Sequence, residues 1–380
     1  MNILLLSWRD PFHPNAGGAE ISTLEHAKAW IRAGCKVTWF SSYFFGAKSE
    51  EIIDGIEIVR AGKQFFDVQI RAFFWYLWGE HPKFDLVLDQ FHGLPFFTPF
   101  YVGGKKLAFI HEVAKEVWKL NPWPFPFNLV PAFLGPILEP VIFLFYRNIP
   151  FMTVSESTKK DLMAWGVPEK NINVIHNGVN LDGFTKDLPS KEKTKTLIYL
   201  GAISRDKGIE DAFLAFSEIQ KKDRRWQFWV VGKASEDYLR WMKVTSRRLA
   251  LGSNFKYWGF VNDYEKFKLL SRAHILINPS YHEGWGLVNI EANSVGTPVV
   301  GYSVQGMVDS VVQGRTGVLV KKGDFKKLAE AVTGLVDAEE EYKEYQKNCR
   351  KWAGKFSWKK STPKSLKLIN NFVKKDNFRI

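Results

Sequence analysis

The sequence has only two cysteines, Cys35 and Cys349, in 380 residues. Two cysteines cannot form the disulfide framework of a small secreted protein. The segment Met1–Leu6 is apolar but lacks the basic start of a signal peptide. We therefore expect a reducing, cytoplasmic environment.

Two further kinds of pattern are missing. No group of His, Cys, Asp or Glu has metal-ligand spacing, and no nucleic-acid-binding module or regular basic stripe appears. The formal net charge is +13, spread along the chain and densest near its end. We expect no metal and no nucleic-acid partner. The positive charge fits a solvated basic surface, an anionic substrate or anionic lipid.

The first predicted strand, Ile3–Ser7, is followed by a loop, Trp8–Gly18, that has no Gly-x-Gly-x-x-Gly turn. A nicotinamide-dependent dehydrogenase needs that turn, with an acidic residue about twenty positions later. The sequence therefore argues against this enzyme class.

What the chain does contain is a repeated alternation of buried strands and helices. The composition is 46% hydrophobic, with 15 Trp and 31 Phe, and the length suits two domains. The predicted strands are 3–7, 37–40, 56–59, 85–88, 107–110, 151–154, 196–200, 227–231, 275–277 and 298–300. Strands that alternate with helices indicate parallel sheets.

We therefore predict an α/β protein of two Rossmann-like, doubly wound domains that face a cleft. The first domain covers residues 1–180, and residues 360–380 can complete it. The second domain covers residues 181–359. A polar stretch, residues 181–195, has the composition of a linker. Helices are predicted at 20–32, 209–221, 325–341 and 357–373.

The most informative segment runs from Ser280 to Ala292, with Gly-Thr-Pro-Val-Val close behind it. Gly284 and Gly286 allow a tight turn that can approach a ligand. A helix that begins near Gly286 offers unpaired amides and a positive dipole end to a diphosphate. Glu283 lies in the loop, and Glu291 can accept two hydrogen bonds from a ribose diol.

Glu283-x7-Glu291 with Gly-x-Gly-Leu between the two carboxylates resembles the signature of the family 4 retaining glycosyltransferases, which have the GT-B fold. Three further segments are similar to family motifs in the same order. They are Gly17-Gly18-Ala19-Glu20, Val174 to Asn180, and Gln305-Gly306 to Val320.

The resemblance implies specific roles for these residues. Glu283 would bind hydroxyls of the donor sugar and Glu291 the ribose. The amides of Gly286, Leu287 and Val288 would hold the donor phosphates. Gly17 and Gly18 would approach donor phosphate or sugar from the first domain.

The loop Gly201 to Gly208 is a second expected phosphate contact, since it follows a strand and precedes a helix. Lys207 would neutralise the leaving diphosphate as the sugar–oxygen bond breaks. Family members usually carry Arg directly after the first Gly of this loop, where this chain has Ala202. Arg205 is our expected replacement for the missing guanidinium.

His111, at a predicted strand end, resembles the family's active-site histidine, while His92 is either structural or on the acceptor side. The resemblance implies transfer with retention of configuration, in which the departing phosphate acts as base. Lys207 and helix amides can take the place of a cation, so we expect no metal and no cofactor. The co-substrate would be a UDP- or GDP-linked sugar.

An aromatic segment containing Trp118, Trp123, Phe125 and Phe127 leads into the apolar stretch Leu129 to Tyr146. Three prolines and Glu139 in that stretch argue against a membrane-spanning helix. We expect contact with the inner face of the cell membrane, with Lys115, Lys119 and Arg147 near anionic lipid. The alternative is a helix pair buried in the first domain.

Membrane contact would make the acceptor a lipid-linked glycan or glycolipid. Two other functions remain open on the sequence. One is a sugar-nucleotide epimerase, which shares the architecture. The other is an inactive, glycosyltransferase-like binding or scaffold protein, a possibility that the alanine at position 202 raises. The donor base, and the choice between mannose and glucose, are open as well.

Overall fold

The computed structural model describes residues 1–64, 67–91, 93–120, 126–180 and 188–374. The chain divides into two compact units. The first unit contains Met1–Gly178 together with the C-terminal segment from Trp358, and the second contains Val179–Ser357.

The first unit is built on a sheet with helices before or after most of its strands. Its strands are β1 Asn2–Leu6, β2 Lys36–Ser41, β3 Glu50–Ile53, β4 Ile56–Arg60, β5 Leu86–Phe91, β6 Lys106–Ile110, β7 Phe151–Thr153 and β8 Ile172–Val174. Its α-helices are α1 Gly18–Arg32, α2 Asp67–Trp78, α3 Leu129–Tyr146, α4 Glu156–Ala164 and, from the C-terminal segment, α12 Trp358–Lys374. Short 3₁₀ helices lie at Thr98–Phe100, Lys115–Leu120 and Glu169–Asn171.

The strand order of this sheet is β3-β4-β2-β1-β5-β6-β7-β8. All pairs are parallel except β3 with β4. The central strands are buried runs such as Ile3–Leu6, because helices cover both faces of a parallel sheet. The order reverses between β1 and β5, so the loops after these strands diverge there and leave room for a ligand.

The second unit repeats this plan. Its strands are β9 Thr196–Leu200, β10 Gln227–Val231, β11 Phe255–Gly259, β12 Ile275–Asn278, β13 Val299–Tyr302 and β14 Gly317–Val320. Its α-helices are α5 Ile209–Lys222, α6 Glu236–Arg248, α7 Asp263–Arg272, α8 Leu287–Ser294, α9 Met307–Ser310, α10 Phe325–Asp337 and α11 Glu339–Ala353. A 3₁₀ helix lies at Gly252–Asn254.

The sheet of the second unit has the order β11-β10-β9-β12-β13-β14, and every pair is parallel. Phe213, Phe216 and Phe228 pack in its core, with ring centroids 5.0–5.3 Å apart across α5 and β10. The order reverses between β9 and β12. The loops that carry Lys207 and Glu283 follow these two strands.

The prediction of two parallel-sheet α/β domains is confirmed, and all ten predicted strands form, nine of them within two residues of their expected bounds and β5 ending three residues later than expected. Four strands were missed: β3, β8, β11 and β14. The predicted helix 325–341 is wrong, because Ala338 (φ −87°, ψ 77°) separates α10 from α11. Of the predicted linker, residues 181–187 lie outside the described residues.

Helix α12 packs against α1 within the first unit. Trp30 Nε1 donates to Ser365 Oγ (3.1 Å), and the same oxygen lies 2.9 Å from His26 Nδ1. The His26 ring also meets the edge of Trp358 (5.5 Å between centroids). The last described helix therefore completes the domain that the first strand begins.

Candidate active site

The loop after β9 carries Lys207 to the start of α5. Tyr199 on β9 stabilises this loop, since its hydroxyl donates to the carbonyls of Ala202 (2.7 Å) and Lys207 (3.2 Å). Gly208 has φ +72°, and a Cβ there would lie 2.0 Å from the carbonyl oxygen of Pro279. Only glycine permits this left-handed turn and the close approach of the two loops.

The loop after β12 carries Glu283 to the start of α8. Gly286 caps this helix with φ +71°, and a Cβ at this position would lie 2.4 Å from Asn289 Nδ2. Buried Asn289 receives a hydrogen bond from Asn278 (2.8 Å) and donates to Ser310 Oγ (2.9 Å). These bonds fix the first turn, in which the amides of Leu287 and Val288 begin the helix.

The structure brings Lys207 and Glu283 together. Lys207 Nζ lies 3.1 Å from Glu283 Oε1 and donates to the carbonyl of His282 (3.2 Å). The side chains are 27% and 16% exposed, so a ligand can still reach both. An ammonium group thus reaches the loop that leads into α8, whose N-terminus carries positive partial charge.

Glu291 is buried on α8 and pairs with a lysine that the sequence did not single out. Lys266 Nζ on α7 lies 2.7 Å from Glu291 Oε1 and 2.9 Å from Asp263 Oδ1. Burial alone lowers the pKa of Lys266, but these two carboxylates outweigh it and raise that pKa above its usual value. Lys266 stays charged and holds Glu291 in place.

Arg205 and Ala202 are both exposed on the loop after β9. Burial, together with neighbouring carboxylates, raises the pKa of Tyr238 and of Tyr281 to about 12, and the Arg205 charge opposes this rise in each case. Arg205 therefore lies near these two tyrosines. Its proposed contact with a donor phosphate stays a prediction.

In the first unit, Gly17 and Gly18 lie at the start of α1, after the loop that follows β1. Glu20 Oε2 accepts a hydrogen bond from the Gly17 amide (2.7 Å), and Glu20 Oε1 lies 3.0 Å from Arg9 Nε. The Gly17 amide is therefore engaged, while a Cβ at Gly18 would meet nothing within 4 Å. Arg9, which our sequence reading missed, brings a positive charge to this helix start.

His111 directly follows β6 and is half-buried. Its Nε2 lies 3.4 Å from Gln90 Nε2, and the Gln90 amide donates to Thr23 Oγ1 on α1 (2.9 Å). Side chains from α1, β5 and β6 are thus linked at the carboxyl edge of the sheet, beside the reversal of strand order. His92 lies outside the described residues.

The expected membrane and acceptor segment is described in part, because Trp123 and Phe125 lie outside the described residues. Phe127 is exposed. Trp118 is half-buried, and its indole donates to the buried carboxylate of Glu139 (2.8 Å). Lys115, whose side chain is 33% exposed, pairs with Asp161 (2.5 Å), and its expected contact with lipid stays a prediction.

Across the ranges described above, no group of three or more His, Cys, Asp or Glu side chains could hold a metal ion.

Two family models match consecutive parts of the chain. The model described as "Glycosyltransferase Family 4" matches residues 16–182, and "Glycosyl transferases group 1" matches residues 183–352. The capsular polysaccharide biosynthesis glycosyltransferase CapM of Staphylococcus aureus is 29% identical over 244 residues, 59% of this chain and 62% of CapM. The chain spans about half the length of the curated relatives it matches, from 42% to 62%.

Solved structures match over almost the full length. Sucrose-phosphate synthase from Thermosynechococcus elongatus superposes with a TM-score of 0.78 at 20% identity, over 97% of this chain and 98% of that one. HepE from Anabaena, solved with UDP-glucose, gives a TM-score of 0.74 at 18% identity over 98% and 100%. These similarities show a shared GT-B fold. With both halves of the chain matched in order, this protein belongs to the family 4 (group 1) glycosyltransferases.

Proposed function

We propose that the protein is a retaining glycosyltransferase that moves a hexose, mannose or glucose, from a UDP- or GDP-linked donor to a hydroxyl of a lipid-linked glycan or glycolipid. The observation that carries this proposal is the convergence of Lys207 and Glu283 beside the N-terminus of α8. This site lies where the strand order of the second sheet reverses, which is where open α/β sheets bind ligands.

In the proposed reaction, the bond between the anomeric carbon and the distal phosphate oxygen of the donor breaks. The acceptor oxygen forms its new bond on the same face of the sugar, and the acceptor proton passes to the departing phosphate. The products are the glycoside and a nucleoside diphosphate. Lys207 and the amides of Leu287 and Val288 stabilise the charge that grows on the leaving group.

Glu283 accepts hydrogen bonds from donor-sugar hydroxyls in this proposal, and Glu291 accepts them from the ribose. His111 and Gly18 serve the donor from the first unit, as the family resemblance implies. The leaving group is neutralised by an ammonium and helix amides, so the proposal requires no metal. Support for a nucleotide-sugar donor comes from HepE, whose structures contain UDP, glucose or UDP-glucose.

Incubating the purified protein with a panel of UDP- and GDP-hexoses tests this function. Short polyprenyl-phosphate glycans serve as acceptors, EDTA is present or absent, and products are read by mass spectrometry. We expect transfer from one donor, unaffected by EDTA, and a loss of about 100-fold or more in Glu283→Gln and Lys207→Ala. Lys326→Ala, an exposed lysine on α10, is the matched control.

Two outcomes would contradict the proposal. A donor that changes its sugar without any acceptor indicates an epimerase. Nucleotide binding without turnover of any donor indicates the binding or scaffold protein that Ala202 suggests.

We further propose that the protein sits on the cytoplasmic face of the membrane through α3. This helix has 18 residues, a mean hydropathy of 1.8 and few buried side chains, so length and composition alone would allow it to cross a membrane. Its exposed apolar side chains are Leu129, Val130, Phe133, Leu134, Ile137, Leu138, Val141, Leu144 and Phe145.

Contacts on the inner side of α3 favour surface binding over spanning. Buried Glu139 accepts hydrogen bonds from the amides of Ala114 (2.6 Å) and Lys115 (2.9 Å) and from the Trp118 indole. Phe143 and Tyr146 belong to the core beside β5 and β7. To cross a bilayer, the helix would have to leave these partners and carry a carboxylate into lipid.

The first unit exposes further aromatic side chains outside α3. Phe145 contacts Phe100 (5.0 Å between ring centroids), and Phe74 and Trp78 on α2 are exposed and stack on each other (5.4 Å). Arg147, at the end of α3, is exposed as well. Aromatic side chains flanked by basic ones favour the headgroup region of an anionic membrane.

Co-sedimentation with vesicles of equal parts phosphatidylcholine and phosphatidylglycerol tests the membrane proposal. Replacing Phe133 and Ile137 with Ser should weaken binding by about tenfold or more, because each side chain loses apolar area buried in lipid. Ile52→Ser on β3, where the isoleucine is even more exposed than Phe133 and Ile137, is the control. Equal binding of all variants would reject the proposal.

A further inference from the structure

At position 202, where the family resemblance implies an arginine, this chain has an alanine, so the proposed donor site has one positive charge fewer than the resemblance implies. Lys207 is already paired with Glu283, so the two side chains together add little net charge to the site. A nucleoside diphosphate carries at least two negative charges near neutral pH. A cation at the end of a neighbouring strand would therefore balance the negative charge of the bound diphosphate.

The loop after β10 runs alongside the loop after β9 in unbroken register. Val231 pairs with Leu200, and three residues later Ala234 forms a parallel bridge with Ile203. The Ile203 amide donates to the carbonyl of Lys233 (2.9 Å). Both pairs are separated by 31 residues in the sequence, so Lys233 is the register partner of Ala202.

Two glycines allow this close pairing. Gly201 and Gly232 have φ of +149° and +147°, and a Cβ on Gly232 would lie 1.7 Å from the Gly201 carbonyl oxygen. Adjacent strands are about 4.8 Å apart, and register partners on them extend to the same side of the sheet. A lysine side chain at position 233 can therefore reach the space beside Ala202.

Lys233 is exposed, and its ammonium group lies 4.8 Å from the ring centroid of Phe260. Phe260 follows β11 and is 72% exposed. The Gly232 amide donates to the Gly259 carbonyl (2.9 Å), which ties these two strand ends together. The cation thus lies along the carboxyl edge of the sheet, the edge that also carries Lys207.

We propose that Lys233 supplies the positive charge that is missing at Ala202 and binds a phosphate of the donor nucleotide. This inference rests on the proposed function. It differs from the sequence-based expectation for Arg205, which lies near Tyr238 and Tyr281. The charge comes from the adjacent strand rather than from the same loop.

The affinity of the full-length protein for UDP and GDP, measured by calorimetry, tests the inference together with turnover of the donor. Lys233→Ala should weaken binding of the preferred nucleotide by about 10- to 100-fold and lower kcat/KM by a similar factor. Lys233→Arg should stay within a few-fold of wild type. Lys326→Ala is the control for loss of a surface charge.

A relocation experiment makes the test specific. Adding Ala202→Arg to the Lys233→Ala variant should restore most of the affinity, whereas a structural role for Lys233 would leave the double variant impaired. Unchanged binding in Lys233→Ala, with a loss in Arg205→Ala, would overturn the inference in favour of Arg205. If wild type binds neither nucleotide, the proposed function fails first.

Discussion

Glu291 and Lys266 show how one side chain of the candidate site is held. Glu291 lies on α8 and Lys266 on α7, with 2.7 Å between the charged atoms. The lysine also pairs with Asp263 at the start of its own helix. In the proposed function Glu291 binds the ribose diol, which needs its acceptor carboxylate in a fixed orientation, so Lys266 would act on the ligand through Glu291.

Replacing Lys266 with Met should therefore weaken nucleotide binding by about tenfold, because it leaves a buried carboxylate without its ionic partner. Calorimetry with UDP and GDP measures the effect. Lys266→Arg should recover part of the affinity. Lys268→Met, on the same helix but paired with Glu265 (3.4 Å), should bind like wild type. A variant that loses stability but keeps its affinity would contradict this role.

Sequence motifs predicted Lys207, Glu283 and Gly286 because each stands in a short, local pattern. Lys266 and Lys233 were not found in this way. Lys266 meets a residue 25 positions away, and Lys233 meets the β9 loop through a register offset of 31 residues. Such contacts depend on the order of strands and helices in the sheet, which no local pattern contains.

The four missed strands have one property in common: each lies at an edge of its sheet. β3 and β8 end the first sheet, and β11 and β14 end the second. Central strands are buried on both faces and read as continuous apolar runs, while β3 alternates between exposed and half-buried residues. Edge strands therefore give a weaker signal in the sequence.

The helix pair α1 and α12 should respond to acid through His26. Burial lowers the pKa of His26 to about 4, below the value of about 6.5 in an unfolded chain. Because the pKa of His26 is lower in the folded state, its contribution to the free energy of unfolding is fully present above pH 6.5. This contribution is lost as the pH falls toward 4. The loss at pH 5 is about 2 kcal/mol of unfolding free energy.

Urea unfolding at pH 7 and pH 5 measures this loss. In His26→Gln the decrease between the two pH values should be about 2 kcal/mol smaller than in wild type. Burial also lowers the pKa of His274 in the second unit to about 4. The His26→Gln variant should therefore still lose some stability between pH 7 and pH 5, and the contribution of His26 is the difference between wild type and this variant. Identical slopes would refute the assignment to His26.

At the scale of the whole molecule, length and strand–helix alternation were enough to predict two domains of the same kind. They did not establish which domain holds the last helix. The last helix belongs to the first domain because Ser365 bonds with Trp30 and His26, which lie more than 330 positions earlier in the chain.

A chain that ends at Ser357 should lose stability in its first unit and keep it in the second. Removing α12 exposes the buried Trp30 and His26 on α1 and takes away Ser365, the hydrogen-bond partner of both. Hydrogen exchange should show faster exchange in residues 1–178, with exchange in residues 179–357 unchanged. Equal effects on both units would contradict this division of the chain.

The ends of the second unit meet, since Val179 forms a parallel bridge with Ser357. The second unit is thus inserted, in chain order, before the last helix of the first. On the ribosome, residues 179–357 emerge completely while the first domain still waits for α12. The domain that begins the chain should be the last to reach its native state. In ribosome-bound chains that expose residue 357 but not α12, residues 1–178 should be protease-sensitive and residues 179–357 should be protected.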